Sequence, residues 1–270
     1  LSEYMRLGFA GFIYDFKDTD YTRTAYNLIK RHRYPHKFYY VSFDRPERSY
    51  RFNPLKVVRD RTELIQLMED VLLALLPKKE QQNEWVAGGL GILRGVAFRF
   101  WDEFPEHCTL PHILAFIMTA SARQLSLFLQ QNLVSEMLAG AYLKAEGSEK
   151  TQASYLSTLC NNLATVSQNE EIAYVLSGDD FDFNLIDPEN PKLFAVSNNF
   201  SKNSVYAPVI SMLMTISARQ FSMQNRVPFV YFLDEMTTVN IKNFETLPSV
   251  LREYKAAFIL LTQSGSKVEN

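Results

Sequence analysis

The sequence predicts an α/β fold in which a mostly parallel sheet flanked by helices is interrupted by an inserted all-α region. Residues 8–43 read as strand, helix and strand, the spacing of a βαβ unit. From residues 84 to 167, apolar residues recur at three and four positions and strand patterns are absent, as in helices. Strand patterns resume after residue 177, so the insertion divides the sheet into two parts.

The first part contains two predicted strands and two predicted helices. Gly8–Asp15 is an apolar run that predicts a buried strand, and Tyr21–His32 follows it as a helix. The Thr19 and Asp20 pair provides good capping chemistry at the start of that helix. Lys37–Phe43 predicts the second strand, and a further helix is expected over residues 62–76.

A polar break at residues 77–83 ends this first part. We therefore predict three segments, with boundaries at residues 1–83, 84–167 and 168–270. In the last segment, Lys192–Ser197, Phe229–Asp234 and Phe258–Thr262 predict strands, and residues 204–223 predict a long helix. At 270 residues and 47% apolar content, the chain can form one large domain that carries an insertion.

Cysteine usage and hydropathy limit the class of protein. Cys108 and Cys160 lie far apart without C-x-x-C spacing, which favours a reducing compartment over a disulfide framework or a zinc ribbon. No run of about 18 uncharged apolar residues occurs, and Leu1–Arg6 lacks the layout of a secretory signal. The chain begins without an initiator Met, so we expect that further residues precede it.

The formal net charge of -2 conceals a basic segment at residues 21–61, which holds eleven Lys or Arg and three acidic residues. Its cations are interleaved with tyrosines, a composition that could contact a phosphate backbone. The alternative is a solvated helix face followed by a basic loop.

The most informative stretch is Val230–Glu235, an apolar strand that ends in two adjacent carboxylates. Phosphoryl transfer needs a carboxylate near magnesium and a group that orients the attacking water, and Asp234 and Glu235 can divide these roles. Gln263 ends the next strand, where its amide could contact the γ-phosphate, and Arg252 lies between the two strands. The alternative is an acidic pair at a helix N-terminus, where the helix dipole favours negative charge.

The 270 residues contain no G-x-x-x-x-G-K-[ST] phosphate-binding loop. Gly89–Gly95 is glycine-rich, but it has no lysine and follows a polar run rather than an apolar strand. We interpret it as a helix contact or a loop, not as a phosphate site.

Several motifs in order resemble one family, the type IV coupling proteins of bacterial conjugation, which are TraG-like DNA-translocating ATPases. Phe12–Lys17 is similar to the family's strand with Asp-x-Lys, and Phe52–Leu55 to its Asn-Pro-Leu signature. Phe232–Glu235 is similar to its Walker B element. Arg252 followed by Phe258–Ser264 is similar to its arginine and Gln-Ser block. The helical insertion lies where these proteins carry an all-α domain.

The resemblance implies a RecA-like P-loop NTPase core of the FtsK-HerA type, with ATP and Mg as cofactors. Residues 1–83 and 168–270 would form the nucleotide-binding domain, and residues 84–167 the all-α domain. Asp234 would coordinate magnesium, Glu235 would activate water and Gln263 would sense the γ-phosphate. Arg252 would act as an arginine finger, either within its own subunit or in the site of a neighbouring subunit. Without Walker A, the isolated chain is expected not to hydrolyse ATP.

The resemblance also implies a hexameric motor at the cytoplasmic face of the bacterial inner membrane. Its partners would be single-stranded DNA, relaxase and other relaxosome proteins, and the type IV secretion channel, with the membrane anchor outside this chain. Two alternatives stay open: a translocase that moves duplex DNA or protein only, and a non-catalytic interaction module with a degenerate RecA-like fold.

Overall fold

The computed structural model describes residues 1–17, 19–76, 78–241 and 244–262. In this part of the chain, five parallel strands form one sheet in the order β2-β3-β1-β4-β5. The strands are Ala10–Asp15 (β1), Lys37–Ser42 (β2), Lys192–Ser197 (β3), Phe229–Asp234 (β4) and Ala256–Leu261 (β5).

Helices occupy most of the remaining described chain. They are Ser2–Arg6 (α1), Asp20–His32 (α2), Arg61–Ala74 (α3), Glu84–Glu103 (α4), Leu110–Thr119 (α5), Ala122–Gln130 (α6), Leu133–Leu138 (α7), Gly140–Lys144 (α8), Glu149–Ser167 (α9), Glu170–Leu176 (α10), Asn203–Arg219 (α11) and Leu247–Arg252 (α12). The chain divides into two compact units, residues 1–52 with 178–270, and residues 53–177.

The sheet unit is built around β1, which lies between β3 and β4. All residues of these three strands are buried, because helices cover parallel sheets on both faces. The rings of Phe12, Phe194 and Tyr231 pack across the three strands, with centroids 5.2 and 6.0 Å from Phe12. The predicted parallel sheet is therefore confirmed, and its central strands are the apolar runs that the sequence indicated.

The helical unit is built around α4, which contacts α3 and each helix from α5 to α9. Glycines on α4 permit this close packing. A Cβ added at Gly91 would lie 2.7 Å from the carbonyl oxygen of Leu138, and one added at Gly95 would lie 2.9 Å from that of Ser135. The glycine-rich run is thus a helix contact, one of the two interpretations that its sequence allowed.

The limits of the helical unit differ from the predicted boundaries at residues 83 and 167. The unit begins at residue 53 and ends at residue 177, so it includes α3 and α10. The apolar face of α3 packs against α4, and Glu69 of α3 pairs with Arg94 of α4. Helical periodicity predicts that a face is buried, but it does not identify the element that covers the face, which explains the difference.

No helix in the described ranges combines the length and the apolar character needed to cross a membrane.

Candidate functional site

Polar residues gather where the central strands end, which we call the carboxyl edge of the sheet. β1 ends at Asp15, β3 at Ser197 and β4 at Asp234. Tyr14 pairs with Leu233 in parallel register, so the next residues, Asp15 and Asp234, end neighbouring strands at the same level. Open α/β sheets bind ligands outside the carboxyl ends of their strands, so this edge is the candidate site.

Asp234 is buried, and its carboxylate oxygen Oδ2 has no hydrogen-bond partner. Burial raises the pKa of Asp234, and the nearby negative charge of Asp15 raises it further. The ammonium of Lys17 and a hydrogen bond from the backbone N–H of Phe16 act in the opposite direction. A buried polar atom left without a partner costs free energy, so Asp234 is suited to a ligand from outside the protein.

Asp15 lies beside it and is fully buried. Its Oδ2 accepts hydrogen bonds from the backbone N–H and the hydroxyl of Thr22 in the first turn of α2, at 2.8 and 2.9 Å. Its Oδ1 is buried and has no partner. Burial raises the pKa of Asp15, while the bonds from Thr22 and the backbone of Lys17 oppose this rise. Two neighbouring carboxylates therefore each keep one unused oxygen.

These two oxygens fit a magnesium ion. Mg²⁺ is typically held by one or two carboxylates, with water and substrate phosphates as its other ligands. Within the residues that the structure describes, no group of three or more His, Cys, Asp or Glu side chains could hold a metal ion. The donor set thus resembles a nucleotide-dependent magnesium site rather than an all-protein metal centre.

Glu235 follows β4 directly and has a left-handed backbone, with φ 48° and ψ 52°. This conformation is costly for a residue with a Cβ, and such strain is concentrated at functional sites. The backbone N–H of Glu235 donates to the carbonyl of Leu261 at 2.8 Å. Its carboxylate oxygen Oε1 accepts from the hydroxyls of Thr237 and Thr262, at 3.3 and 3.5 Å. The turn interrupts the strand alternation that would point Asp234 and Glu235 to opposite faces.

A chain of hydrogen bonds from three elements holds this turn. The Thr238 hydroxyl donates to the carbonyl of Glu235 at 2.7 Å and lies 2.6 Å from the Tyr14 hydroxyl. The Asn198 amide donates to the Tyr14 hydroxyl at 2.8 Å. Because the Thr238 hydroxyl proton is donated to the carbonyl, Tyr14 is the donor in its bond to Thr238. Burial raises the pKa of Tyr14 to about 12, so the Tyr14 hydroxyl keeps its proton. The sequence does not mark these residues as part of a site: Tyr14 and Asn198 lie at strand ends, and Thr238 lies in the short turn after Glu235.

A fourth carboxylate, Asp44, follows β2 and has different surroundings. Its Oδ1 accepts from the Lys202 ammonium at 2.6 Å and the Tyr206 hydroxyl at 3.0 Å. The Asn199 amide donates to its other oxygen. Burial raises the pKa of Asp44, but these bonds outweigh that effect and lower the pKa overall. Asp44 is therefore a partnered structural carboxylate, in contrast to Asp15 and Asp234.

The structure does not bring Arg252 to this edge. Arg252 is exposed and ends α12, four residues before β5 begins at Ala256. Leu261, at the other end of β5, pairs with Asp234. Six strand residues span about 17 Å, which an arginine side chain of the same subunit does not bridge. Gln263 lies outside the described residues.

Comparison with known proteins identifies the family. The family model for type IV secretory system conjugative DNA transfer matches residues 13–270. The chain belongs to this conjugative DNA transfer family. The match covers both halves of the sheet and the helical unit between them, so the predicted family is confirmed over nearly the whole chain.

Solved structures of another coupling protein share the fold of this family member. The bacterial conjugative coupling protein TrwB, in a trigonal form with sulphate, superposes with a TM-score of 0.66 at 14% identity, over 96% of this chain. Structures of TrwB with ADP and Mg²⁺ and with the ATP analogue ADPNP each give a TM-score of 0.65 at 14% identity, again over 96% of this chain. The predicted RecA-like fold is confirmed. The chain spans 64% of the TrwB chain in the trigonal form. No curated protein sequence matches the chain.

Proposed function

We propose that the intact coupling protein binds and hydrolyses ATP at the carboxyl edge of this sheet. The observation that carries this proposal is the pair of unpartnered, buried oxygens on Asp15 and Asp234 beside the strained Glu235. The complexes of TrwB with ADP and Mg²⁺ and with ADPNP support it, because they place nucleotide binding within the same fold.

The roles divide among the residues of the edge. Asp234 holds Mg²⁺, with Asp15 as a second carboxylate next to it. Bound magnesium would neutralise charge on the β- and γ-phosphate oxygens. Glu235 accepts a proton from the attacking water, and the chain from Asn198 through Tyr14 and Thr238 fixes its backbone. Gln263, after β5, contacts the γ-phosphate.

The phosphate cradle is the part that these 270 residues do not contain, because they include no G-x-x-x-x-G-K-[ST] loop. We propose that another region of the intact protein supplies it. The 270-residue chain alone should then show no ATP turnover, since its sequence lacks the loop that would hold the phosphates against Glu235.

Arg252 is proposed to act on a neighbouring subunit. Its position beyond the amino end of β5 separates it from Glu235 of its own chain by the length of the strand. An arginine that stabilises transition-state charge can be supplied in trans. This arrangement favours a ring, and a homo-hexamer is the assembly that we propose.

In this account, the motor moves relaxase-bound single-stranded DNA to the type IV secretion channel, at the cytoplasmic face of the bacterial inner membrane. The family's role in conjugative DNA transfer supports a DNA substrate. Hydrolysis that is stimulated by single-stranded DNA would support this cargo. Stimulation by duplex DNA alone, or by a substrate protein alone, would instead indicate one of the other translocases.

Steady-state turnover by the intact protein tests the catalytic proposal. Glu235→Gln should lower kcat by at least about a hundredfold, as loss of a general base does, with ATP affinity retained. The matched control is Glu245→Gln, which changes an exposed carboxylate after β4 and should leave turnover unchanged. Equal turnover by the Glu235→Gln variant and the unmodified protein would refute the assignment of Glu235. ATP hydrolysis by the 270-residue chain that Glu235→Gln abolishes would instead refute the proposal that another region supplies the phosphate cradle.

A further inference from the structure

A second potential site lies in the sheet unit, next to the carboxyl edge but with a different lining. α2, β2 and the loop after β2 line a solvent-open cavity of about 460 Å³, within the size range of small-molecule sites. Three arginines and three tyrosines dominate its lining, and we call it the arginine-tyrosine cavity. They are Arg23, Arg45, Arg48, Tyr26, Tyr40 and Tyr50.

The charge of this lining is positive, and none of the described residues that form it carries a carboxylate. Arg23 and Arg48 approach Asp20 and Glu47 at 3.5 and 3.8 Å, but both pairs are largely exposed to solvent. Exposed ion pairs of this kind are weak, so a phosphate group can replace the carboxylate as the hydrogen-bond acceptor of Arg23 or Arg48. Guanidinium groups are well suited to phosphate because their fork of N–H donors matches its oxygens.

The tyrosines offer ring surface to a ligand. Tyr26 and Tyr50 are 49% and 43% exposed, and the Lys30 ammonium lies over the Tyr26 ring, 4.5 Å from its centroid. Tyr39 holds the Tyr50 ring at its edge, with centroids 5.0 Å apart. A nucleic acid base that stacks on an exposed tyrosine ring gains affinity, and this gain depends little on which base it is.

We infer that the arginine-tyrosine cavity binds a nucleotide unit, with its base on the tyrosine rings and its phosphate on the arginines. A simple anion would use only the arginines, and an apolar ligand would use only the rings. A nucleotide uses both, whether it is free or part of a nucleic acid strand. This site is additional to the proposed ATP site.

The cavity is connected to the carboxyl edge through one residue. Thr22 lines the cavity, and its backbone N–H and hydroxyl bond to Asp15, the neighbour of Asp234. A ligand that shifts the first turn of α2 would therefore change the surroundings of Asp15.

Binding by the 270-residue chain tests the inference, because this chain contains no phosphate-binding loop. The probes are thymidine monophosphate, a short fluorescent oligothymidylate and an abasic oligonucleotide of the same length, measured by calorimetry and fluorescence anisotropy. The cavity variant is Arg23→Gln/Arg45→Gln/Arg48→Gln. The matched control, Arg31→Gln/Arg33→Gln/Lys37→Gln, removes three cations of the same basic segment that do not line the cavity.

We expect the cavity variant to bind oligothymidylate at least about tenfold more weakly, and the control to lose no more than about twofold, because only cavity arginines contact phosphate directly. Tyr26→Ala, on the exposed face of α2, should weaken oligothymidylate binding and leave abasic binding unchanged. It provides an independent result if the triple variant fails to fold. Comparable affinity for the monophosphate would identify a free nucleotide as the ligand, and binding of the oligonucleotide alone would identify a strand.

Three results would overturn the inference: absence of binding by the unmodified chain, equal losses in the cavity and control variants, or equal affinity for thymine-containing and abasic strands. The last two would indicate non-specific attraction to the basic segment. These readouts are independent of turnover by the intact protein, so failure of this inference and failure of the proposed ATPase can be distinguished.

Discussion

Glu235 adopts a left-handed backbone that glycine would adopt more easily. We therefore expect Glu235→Gly to be more stable than Glu235→Ala by about 1 kcal/mol, since both lose the carboxylate but only alanine keeps the steric cost of a Cβ at positive φ. Urea denaturation of the two variants measures the difference. A more stable alanine variant, the usual order at regular backbone positions, would show that the turn at Glu235 stores no strain.

Asp234 and Asp44 should respond to pH with opposite signs. Burial raises the pKa of Asp234, so its folded state favours the protonated form and is penalised as the pH rises above about 3.9, the value for an unfolded aspartate. Asp234→Asn should therefore stabilise the protein at neutral pH, and this gain should fade as the pH is lowered towards about 3.9.

Asp44 provides the matched comparison, because its hydrogen bonds lower its pKa overall. Its carboxylate stabilises the fold above the unfolded pKa, and that contribution is lost as the pH falls through its folded pKa. Asp44→Asn should thus destabilise the protein at neutral pH. Urea denaturation over a pH series measures both variants, and effects of the same sign at neutral pH would contradict the assigned surroundings.

Sequence predicts some residues of the site and not others for a physical reason. Asp234 and Glu235 follow an apolar strand, so a local pattern marks them. Tyr14 bonds to Asn198 and Thr238, which lie 184 and 224 residues away along the chain. No local pattern records such a contact, because it depends on which strands become neighbours.

Helix packing provides a prediction at the scale of elements. Gly91→Ala should destabilise the protein by about 1–3 kcal/mol, because its Cβ would meet the carbonyl of Leu138. A Cβ added at Gly140, the first residue of α8, would meet no atom within 4 Å. Gly140→Ala should therefore stabilise the protein by about 0.4–1 kcal/mol, because alanine reduces the conformational entropy of the unfolded chain. Thermal unfolding compares the two variants, and equal effects would exclude close packing at Gly91.

The strands were predicted closely, because apolar runs of six residues between polar breaks have few alternatives. Lys192–Ser197 and Phe229–Asp234 have the bounds that the sequence indicated. The extent of the helical unit was less predictable. α3 is amphipathic in either unit, and only the three-dimensional packing on α4 shows where it belongs.

At the scale of the whole molecule, the carboxyl edge supplies the carboxylates of Asp15 and Asp234 and the strained Glu235. We propose that another region of the intact protein supplies the phosphate cradle and that a neighbouring subunit supplies Arg252. The separation of Arg252 from Glu235 by the length of β5 makes the proposed site one that two subunits complete. The chain spans 64% of the TrwB chain in the trigonal form, so the complete site is a property proposed for the intact protein.

The most direct test is Mn²⁺ binding by the intact protein in the presence of ADP, measured by electron paramagnetic resonance, with Mn²⁺ as the probe for Mg²⁺. Asp234→Asn should weaken Mn²⁺ binding by at least about tenfold, because it removes a metal ligand, whereas Asp44→Asn should leave binding unchanged. Unchanged Mn²⁺ affinity in the Asp234→Asn variant would contradict the claim that this edge holds the metal and the nucleotide.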